Sequence, residues 1–577
     1  MRAVLLRFFI LAIAQMLRPG GASDDRERVT VTIDLGDDWT PRVLAPGSTA
    51  PAYRTTYLAL AQERFDDAGS DGELAKLDRY LELFGIAPTL SVIRARLGDD
   101  TRHACHAAVD DRALARLATP IAVESREAGR ERIAQARVLR TMLDTDRRLR
   151  KVADLEALAP TSRYYARAVA RLAALEARIA AVRAVQAHLA CDHLLGDRLI
   201  DGAYTWQTGY AVRSFQRGAM IVPTGTLDRA TIEAFILDSR ERDFRAALRV
   251  LRERVADAAG LLEDGTAGAR VGTVLGRTLE PEQTWRVRGH DPLPGAAPDL
   301  ISEATEAAAL ALGWNDAEST RIALDALAAS NTRVASVALP RPPAYHTATM
   351  QLAIEIDRGD VWLDSTPRAR KVERRPAVII YAQDGGRQVP LARWPTTIGG
   401  WQREVVDGDI EKRWKESPAG PRIWRDLVVG PSWLPPDSTP DRELVRSENG
   451  KYVLARELMG PSYRAAFGMV AFIHFLVDSD GNYQDEGIRT HGTGSLRSIA
   501  TGVSHGCHRL LGFQAVRLAD FVLAHHTAIR RGETKTDFQR VVQYHGQFPI
   551  VIDSQGYRFE LDPPIPVEVL PGRVHVP

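Results

Sequence analysis

At 577 residues the chain is too long for one hydrophobic core, so several domains are expected. Its 75 basic side chains nearly cancel its 74 acidic ones, which gives no support to a nucleic-acid partner. Apolar and charged fractions of 45% and 26% belong to an ordinary globular protein and argue against a fibrous or disordered chain.

Residues 1–22 combine Arg2 and Arg7 with an apolar run to Leu17 that is short for a bilayer span, and small residues precede Ser23. A secretory signal peptide is expected there, with an uncleaved anchor as the alternative. No later segment reaches transmembrane length. Residues 23–180 are expected to be a mostly helical region. A brief alternating run, RVTVTIDL, comes first, and Tyr165, Val169, Leu172, Ile179, Val182 and Leu189 later keep near-helical spacing. Residues 181–240 have the texture of a three-helix module: an Asp201-Gly202 turn, a helix carrying Val212 and Phe215, a Pro-Thr-Gly turn, and a helix N-capped by Asp228. Helical spacing resumes over 241–338, on Phe244, Leu248, Leu251, Val255 and Leu262 and again at 299–330. A proline-rich linker is placed at 339–347. Beyond it the period becomes two, at Leu352, Ile354 and Ile356, and AVIIYA has the composition of a buried strand. A mainly β domain over 348–530 and a β extension over 531–577 complete a multidomain α+β fold.

Export changes how three cysteines are read, because an oxidising compartment favours pairing. Cys105 and Cys191 are expected to form a disulfide, leaving Cys507; two buried free thiols are the alternative. Cys507 lies in SHGCHRL, a polar and basic setting that suits a reactive thiol better than a structural one. A thiol with a pKa near 8.5 needs a base or a positive field. His491, 16 residues upstream, and His505 are candidate bases, and Arg509 adds charge. The helix-forming FQAVRLADFVLA puts Cys507 a few residues before a helix N-terminus, whose dipole favours thiolate. Gly506 leaves the N–H groups of residues 506 and 507 able to face a developing oxyanion. A metal site on His505, Cys507 and His508 is disfavoured because adjacent ligands seldom reach one ion, and no metal or organic cofactor is expected. His474 is expected in the core, and His525 and His526 at the surface.

Two resemblances sharpen this picture. Asp201, Gly202, Tyr204, Thr208, Ala211, Val212, Phe215, Gln216, Gly225, Leu227, Asp228 and Thr231 follow the pattern of the peptidoglycan-binding module of cell-wall enzymes. They are mainly the module's own core and turns. The His-Gly-Thr at 491–493 and Ser-His-Gly-Cys-x-Arg at 504–509, with ESPAGPRIW upstream, resemble the L,D-transpeptidase catalytic domain over about 348–530. The resemblance implies Cys507 as acylated nucleophile, His491 as base, Gly492 holding the imidazole, and His505 lining the site. It further implies an oxyanion hole at Gly506 and Cys507, and Arg509, Ser504 and Thr493 meeting substrate. The implied activity is 3-3 cross-linking or attachment of another amine to peptidoglycan stem peptides, in the periplasm or cell envelope. Carbapenem-type β-lactams would be inhibitors. Hydrolysis of stem peptides, as an L,D-carboxypeptidase or endopeptidase, and a non-catalytic wall-binding scaffold are the alternatives. Two departures stand out. His508 replaces an aliphatic residue, which is expected to affect acceptor choice, and the stretch 400–490 is long enough to expect a lid or lobe over the site. The module at 185–238 is expected to be separable from catalysis.

Overall fold

Arg28–Asp34 (β1) pairs antiparallel with Val334–Pro340 (β2), Val31 opposite Val337, so the alternating run near the start finds its partner far along the chain. The computed structural model describes residues 27–44, 51–64, 81–363, 373–448 and 450–575. The expected signal peptide lies outside them. Among them, no helix is long and apolar enough to cross a membrane.

Between these strands the chain is helical: Leu90–Leu97 (α1), Asp100–Ala107 (α2), Arg126–Leu149 (α3), Arg163–Cys191 (α4), Trp206–Gly218 (α5), Arg229–Ile236 (α6), Ser239–Ala259 (α7), Leu300–Ala311 (α8) and Ala317–Ser330 (α9). Most begin on a side-chain acceptor, such as Thr89, Ser125, Ser162, Asp228 and Asp316, which satisfies a backbone N–H that the helix cannot. The β1–β2 ribbon, α1, α7, α8 and α9 share one core containing Ile33, Ile93, Phe244, Leu248, Ile301, Trp314 and Val337. The helical regions expected at 23–180 and 241–338 are therefore partly one lobe. The expected linker at 339–347 starts inside β2, because the buried Val337 and Leu339 need β1 as a partner.

The module occupies one side of this lobe. The C-terminal half of α4 packs with α5 and α6 around Val182, Leu189, Tyr204, Val212, Phe215 and Phe235. The expected boundary at residue 181 thus falls within a continuous helix. The N-terminal half of α4 instead pairs with α3 around Leu143, Tyr165 and Leu172. Gln186 and Gln216 pin the module's turns from inside. Gly202 N–H donates to Gln186 Oε1 at 2.8 Å, and Gly225 N–H to Gln216 Oε1 at 2.9 Å. A disulfide joins Cys105 in α2 to Cys191 at the end of α4.

The β domain follows: Leu352–Asp357 (β3), Ala377–Asp384 (β4), Arg387–Pro395 (β5), Gly399–Val406 (β6), Asp409–Glu416 (β7), Gly420–Val429 (β8), Val470–Val477 (β9), Tyr483–Gly492 (β10), His508–Leu510 (β11), the helix Gly512–His525 (α10), Ala528–Gln543 (β12) and Gln547–Leu570 (β13). The main sheet runs β11-β10-β9-β8-β13-β3-β4-β5, with β12 paired to β13. This corrects the expected β extension at 531–577. β13 is a central strand, antiparallel to β8 and parallel to β3, and Ile565, Val567 and Val569 are buried there. The boundary at 530 falls inside β12.

Of the lid or lobe expected over 400–490, the structure shows a lobe, occupying only part of the stretch. It contains three sheet strands, the β6–β7 hairpin and a lobe at 430–469. The β12–β13 hairpin supports that lobe, with Val542, Ile550 and Ile552 against Leu444, Val445 and Met459. Helix α10 locks the two halves together. A Cβ on Gly512 would stand 2.2 Å from the Phe84 carbonyl carbon, and Arg517 pairs with Glu253 of α7. His525 and His526 are half-buried rather than at the surface; the two ring nitrogens of His525 face Thr347 O and Gly260 O at 2.7 Å.

Thiol titration of the denatured, non-reduced protein should find one free cysteine. Reduction should lower stability by about 4 kcal/mol, the loop-entropy scale for a bridge this long. Three reactive thiols before reduction would exclude the bridge.

Candidate active site

β10 and β11 pair in parallel, Thr490 opposite His508 and His491 opposite Arg509. Side chains alternate along a strand, so Thr490 and His508 share the core face. Arg489, His491, Cys507 and Arg509 line the other side, a pocket of about 1070 Å³. Two adjacent strands and the residue just before the second thus gather these four side chains at one wall.

The backbone of Cys507 is pinned before its thiol is considered. Its carbonyl accepts hydrogen bonds from the hydroxyls of Ser504 and Thr397, both at 2.7 Å. Thr397 also accepts from Arg509 N–H at 3.1 Å, and Thr396 donates to Arg509 O at 3.0 Å. Gly506 adopts φ +114°, where a side chain would be strained, and a Cβ would meet Glu416 O at 3.0 Å. Its N–H donates to Ser504 Oγ at 3.2 Å, so this expected oxyanion donor is already engaged. Ser504 itself, expected to touch substrate, is 1% exposed and acts as a brace. Thr493 lines the pocket, but its hydroxyl accepts from Ser495 N–H at 3.0 Å.

His491 is buried and donates from Nδ1 to the Gly492 carbonyl, leaving Nε2 as the basic nitrogen. Phe467 meets its ring edge-on at 4.9 Å. Burial, reinforced by the Arg509 charge, pushes its pKa down to about 3. The Cys507 thiol lies 3.7 Å from Gly487 O, and burial raises its pKa against the opposing pull of Arg489 and Arg509. Both shifts favour the uncharged forms, a thiol and a neutral imidazole. The expected thiolate support from a helix dipole does not apply, since α10 begins at Gly512 with β11 in between, beyond the first-turn reach of the effect.

Arg509 lines the pocket with its Nε buried and without a hydrogen-bond partner among the described residues. His505 sits exposed at the pocket wall, near the Glu404–Lys415 ion pair. Arg489, not singled out by the sequence, pairs with Asp485 at 2.6 Å. Period-two spacing from His491 is the signal that would have found it. His508 corrects another expectation. It is fully buried on the opposite face, its Nε2 2.9 Å from Ser417 Oγ and its Nδ1 3.3 Å from Thr490 Oγ1. Thr490 in turn meets His474, which accepts from Trp424 Nε1–H at 2.8 Å. His508 therefore holds the strands together and cannot face an acceptor, and it points away from any ion Cys507 could bind. Among the described residues, no group of His, Cys, Asp and Glu is arranged to hold a metal.

Residues 178–235 match the family model of the peptidoglycan binding domain. No curated protein matches the chain. The matched segment is the module built on α4, α5 and α6, which makes peptidoglycan a partner of this protein and associates it with the cell wall. The module's Arg217 also lines the pocket that holds Cys507, as does Phe84, which packs into the core of the β domain. That sharing runs against the expected separability of the module.

Two pH effects follow. Alkylation of Cys507 by iodoacetamide should accelerate steadily through pH 7–10, because a raised thiol pKa delays ionisation beyond its ordinary range. A plateau already reached near pH 6 would mean a resting thiolate–imidazolium pair. His491 and His508 are both held neutral, with pKa values pushed down to about 3, so below about pH 6.5 the unfolded chain binds more protons than the folded one. Stability should fall as pH drops from about 6.5 toward 3, and a urea midpoint constant across that window would contradict it.

Proposed function

We propose that this protein is an L,D-transpeptidase that remodels peptidoglycan through a Cys507 acyl-enzyme. The parallel register of β10 and β11, which sets His491 and Arg509 side by side with Cys507 next in line, is the observation that supports this most directly. The peptidoglycan binding domain beside the pocket supplies the substrate class.

In this mechanism the Cys507 thiol gives its proton to His491 Nε2 as sulfur attacks the carbonyl of the L-centre in a stem tetrapeptide. The Cys507 N–H serves the oxyanion, and half-buried Arg509 meets a substrate carboxylate. The C–N bond then breaks, and the imidazolium returns its proton to the departing D-residue amine, leaving a thioester. An amine of a second stem attacks that thioester, His491 accepts the amine's proton, and the free thiol is restored. A neutral imidazole suits this cycle, since it can accept a proton at the moment of attack.

Intact-protein mass spectrometry with a carbapenem tests the assignment. Wild type should gain one covalent adduct, and Cys507→Ala should gain none. His491→Ala should be slower by on the order of 10²–10⁴, the usual contribution of a positioned base. An adduct persisting on Cys507→Ala would place the nucleophile elsewhere. With isolated sacculi the expected products are cross-linked muropeptide dimers; trimmed tripeptides alone would reassign the protein as a carboxypeptidase.

A further inference from the structure

Helix α5 carries two large aromatic side chains on its solvent side. Thr208, Ala211, Val212, Phe215 and Gln216 are buried, as a helix packed into the module requires. Trp206, Tyr210, Arg213 and Arg217 are left outside, at the i, i+4, i+7, i+11 spacing of a single stripe. Trp206 is 66% exposed and Tyr210 is half-buried. Neither belongs to the module's core or to the side chains packed against it. Neither side chain makes a hydrogen bond or a ring contact among the described residues. Val123, 42% exposed, flanks the stripe and packs onto α5 at Gly209, where a Cβ would stand 2.3 Å from Val123 Cγ2. Folding of the domain gives no reason for this aromatic surface.

The stripe also has a direction. Arg217, about 16 Å along the helix axis from Trp206, lines the pocket that holds Cys507. Its guanidinium lies 5.6 Å over the ring of Phe84, which meets Tyr463 of the 430–469 lobe edge-on at 5.4 Å, so Arg217 is already engaged in building the pocket wall. One helix face thus runs from the exposed Trp206 to the rim of the reactive pocket.

The matched domain makes peptidoglycan the partner, and peptidoglycan offers glycan chains and peptides. Sugar rings present C–H groups on their faces and hydroxyls at their edges. They stack on flat aromatic groups, whose polar tips, an indole N–H and a phenol O–H, can meet the hydroxyls. Trp206 and Tyr210 are about 6 Å apart along the axis, comparable to the advance of one sugar in an extended chain. Trp206, Gln207 and Tyr210 carry no charge, which suits a sugar better than an ionised peptide.

We infer that Trp206 and Tyr210 form the glycan-binding surface of this domain, and that a strand held there leads its stem peptides to the Cys507 pocket. Delivery rests on the proposal that stem peptides react at Cys507; glycan binding does not.

The test uses the full-length protein and peptide-free glycan strands, prepared by stripping sacculi with an amidase, in a calorimetric titration. Trp206→Ala and Tyr210→Ala should each weaken binding about tenfold, the scale of one well-placed aromatic contact. Trp206→Phe keeps a flat face and should stay within about threefold of wild type. Ile322→Ala, which removes a similarly exposed apolar side chain from α9, should bind like wild type. Cross-linking of intact sacculi should fall in Trp206→Ala by about the same factor as strand binding, and undiminished cross-linking would overturn delivery. Wild-type strand affinity in both alanine variants would overturn the glycan site. So would a tenfold loss in Ile322→Ala, which marks general stickiness, or a loss in the alanine variants that only accompanies a lowered melting midpoint, which marks a structural role. A wild-type protein that pellets with sacculi yet ignores peptide-free strands would overturn it too, and make the stripe a peptide contact. Carbapenem acylation of wild type separates the two proposals: its absence, with the glycan selectivity intact, would remove the chemistry and leave the glycan site.

Discussion

The parallel pairing of Tyr483–Gly492 with His508–Leu510 is the constraint on which the candidate site depends. Strand side chains alternate, so a slip of one residue would exchange His491, Cys507 and Arg509 for Thr490 and His508 at the pocket face. Both faces hold the register. On the core side Trp424, His474, Thr490, His508 and Ser417 form one buried hydrogen-bonded chain. On the pocket side two hydroxyls grip the Cys507 carbonyl. Any slip would strand these polar groups away from water, at about 1–3 kcal/mol for each one left unpaired.

The same burial that fixes geometry sets the electrostatics. Two arginines favour a charged sulfur, but desolvation of Cys507 outweighs them, and desolvation of His491 acts in concert with Arg509. Both effects favour the uncharged forms of the thiol and the imidazole. Arg509, half-buried and with its Nε buried and unpartnered among the described residues, is the pocket cation nearest in register to His491. The surrounding lobes serve this arrangement. Gly512 against Phe84 and Arg517 against Glu253 join the helical half to the helix that directly follows β11, so the pocket wall and the cysteine strand share one support.

What the sequence made legible was local. The module's turn residues, the helical spacing of α4, and the Cys507, His491, Gly492 and Arg509 positions could all be found within short windows. Non-local pairing could not. Alternation in RVTVTIDL marks a strand but does not say that its partner is Val334–Pro340, and the buried pattern at Ile565–Val569 does not reveal a central place in the sheet. Roles inside the motif were also misjudged where one polar atom could serve either backbone or substrate. Ser504 and the Gly506 N–H bond each other, and His508 turns inward because its strand position does. Arg217 was invisible as a pocket residue because its exposure there depends on contacts among three distant segments.

Strand Gln547–Leu570 lies between Gly420–Val429 and Leu352–Asp357, although both precede it in the chain. During synthesis from the N-terminus, the sheet therefore exists first as two halves with a slot between them. Each half has a bare edge of unpaired N–H and C=O groups, the kind that recruits foreign strands. The slot closes only when residue 570 arrives, and the lobe roofing the pocket waits for the same hairpin, since Ile550 and Ile552 complete its core. Until then the pocket around Cys507 lacks this framework, and a holding chaperone has a defined target in those two waiting edges.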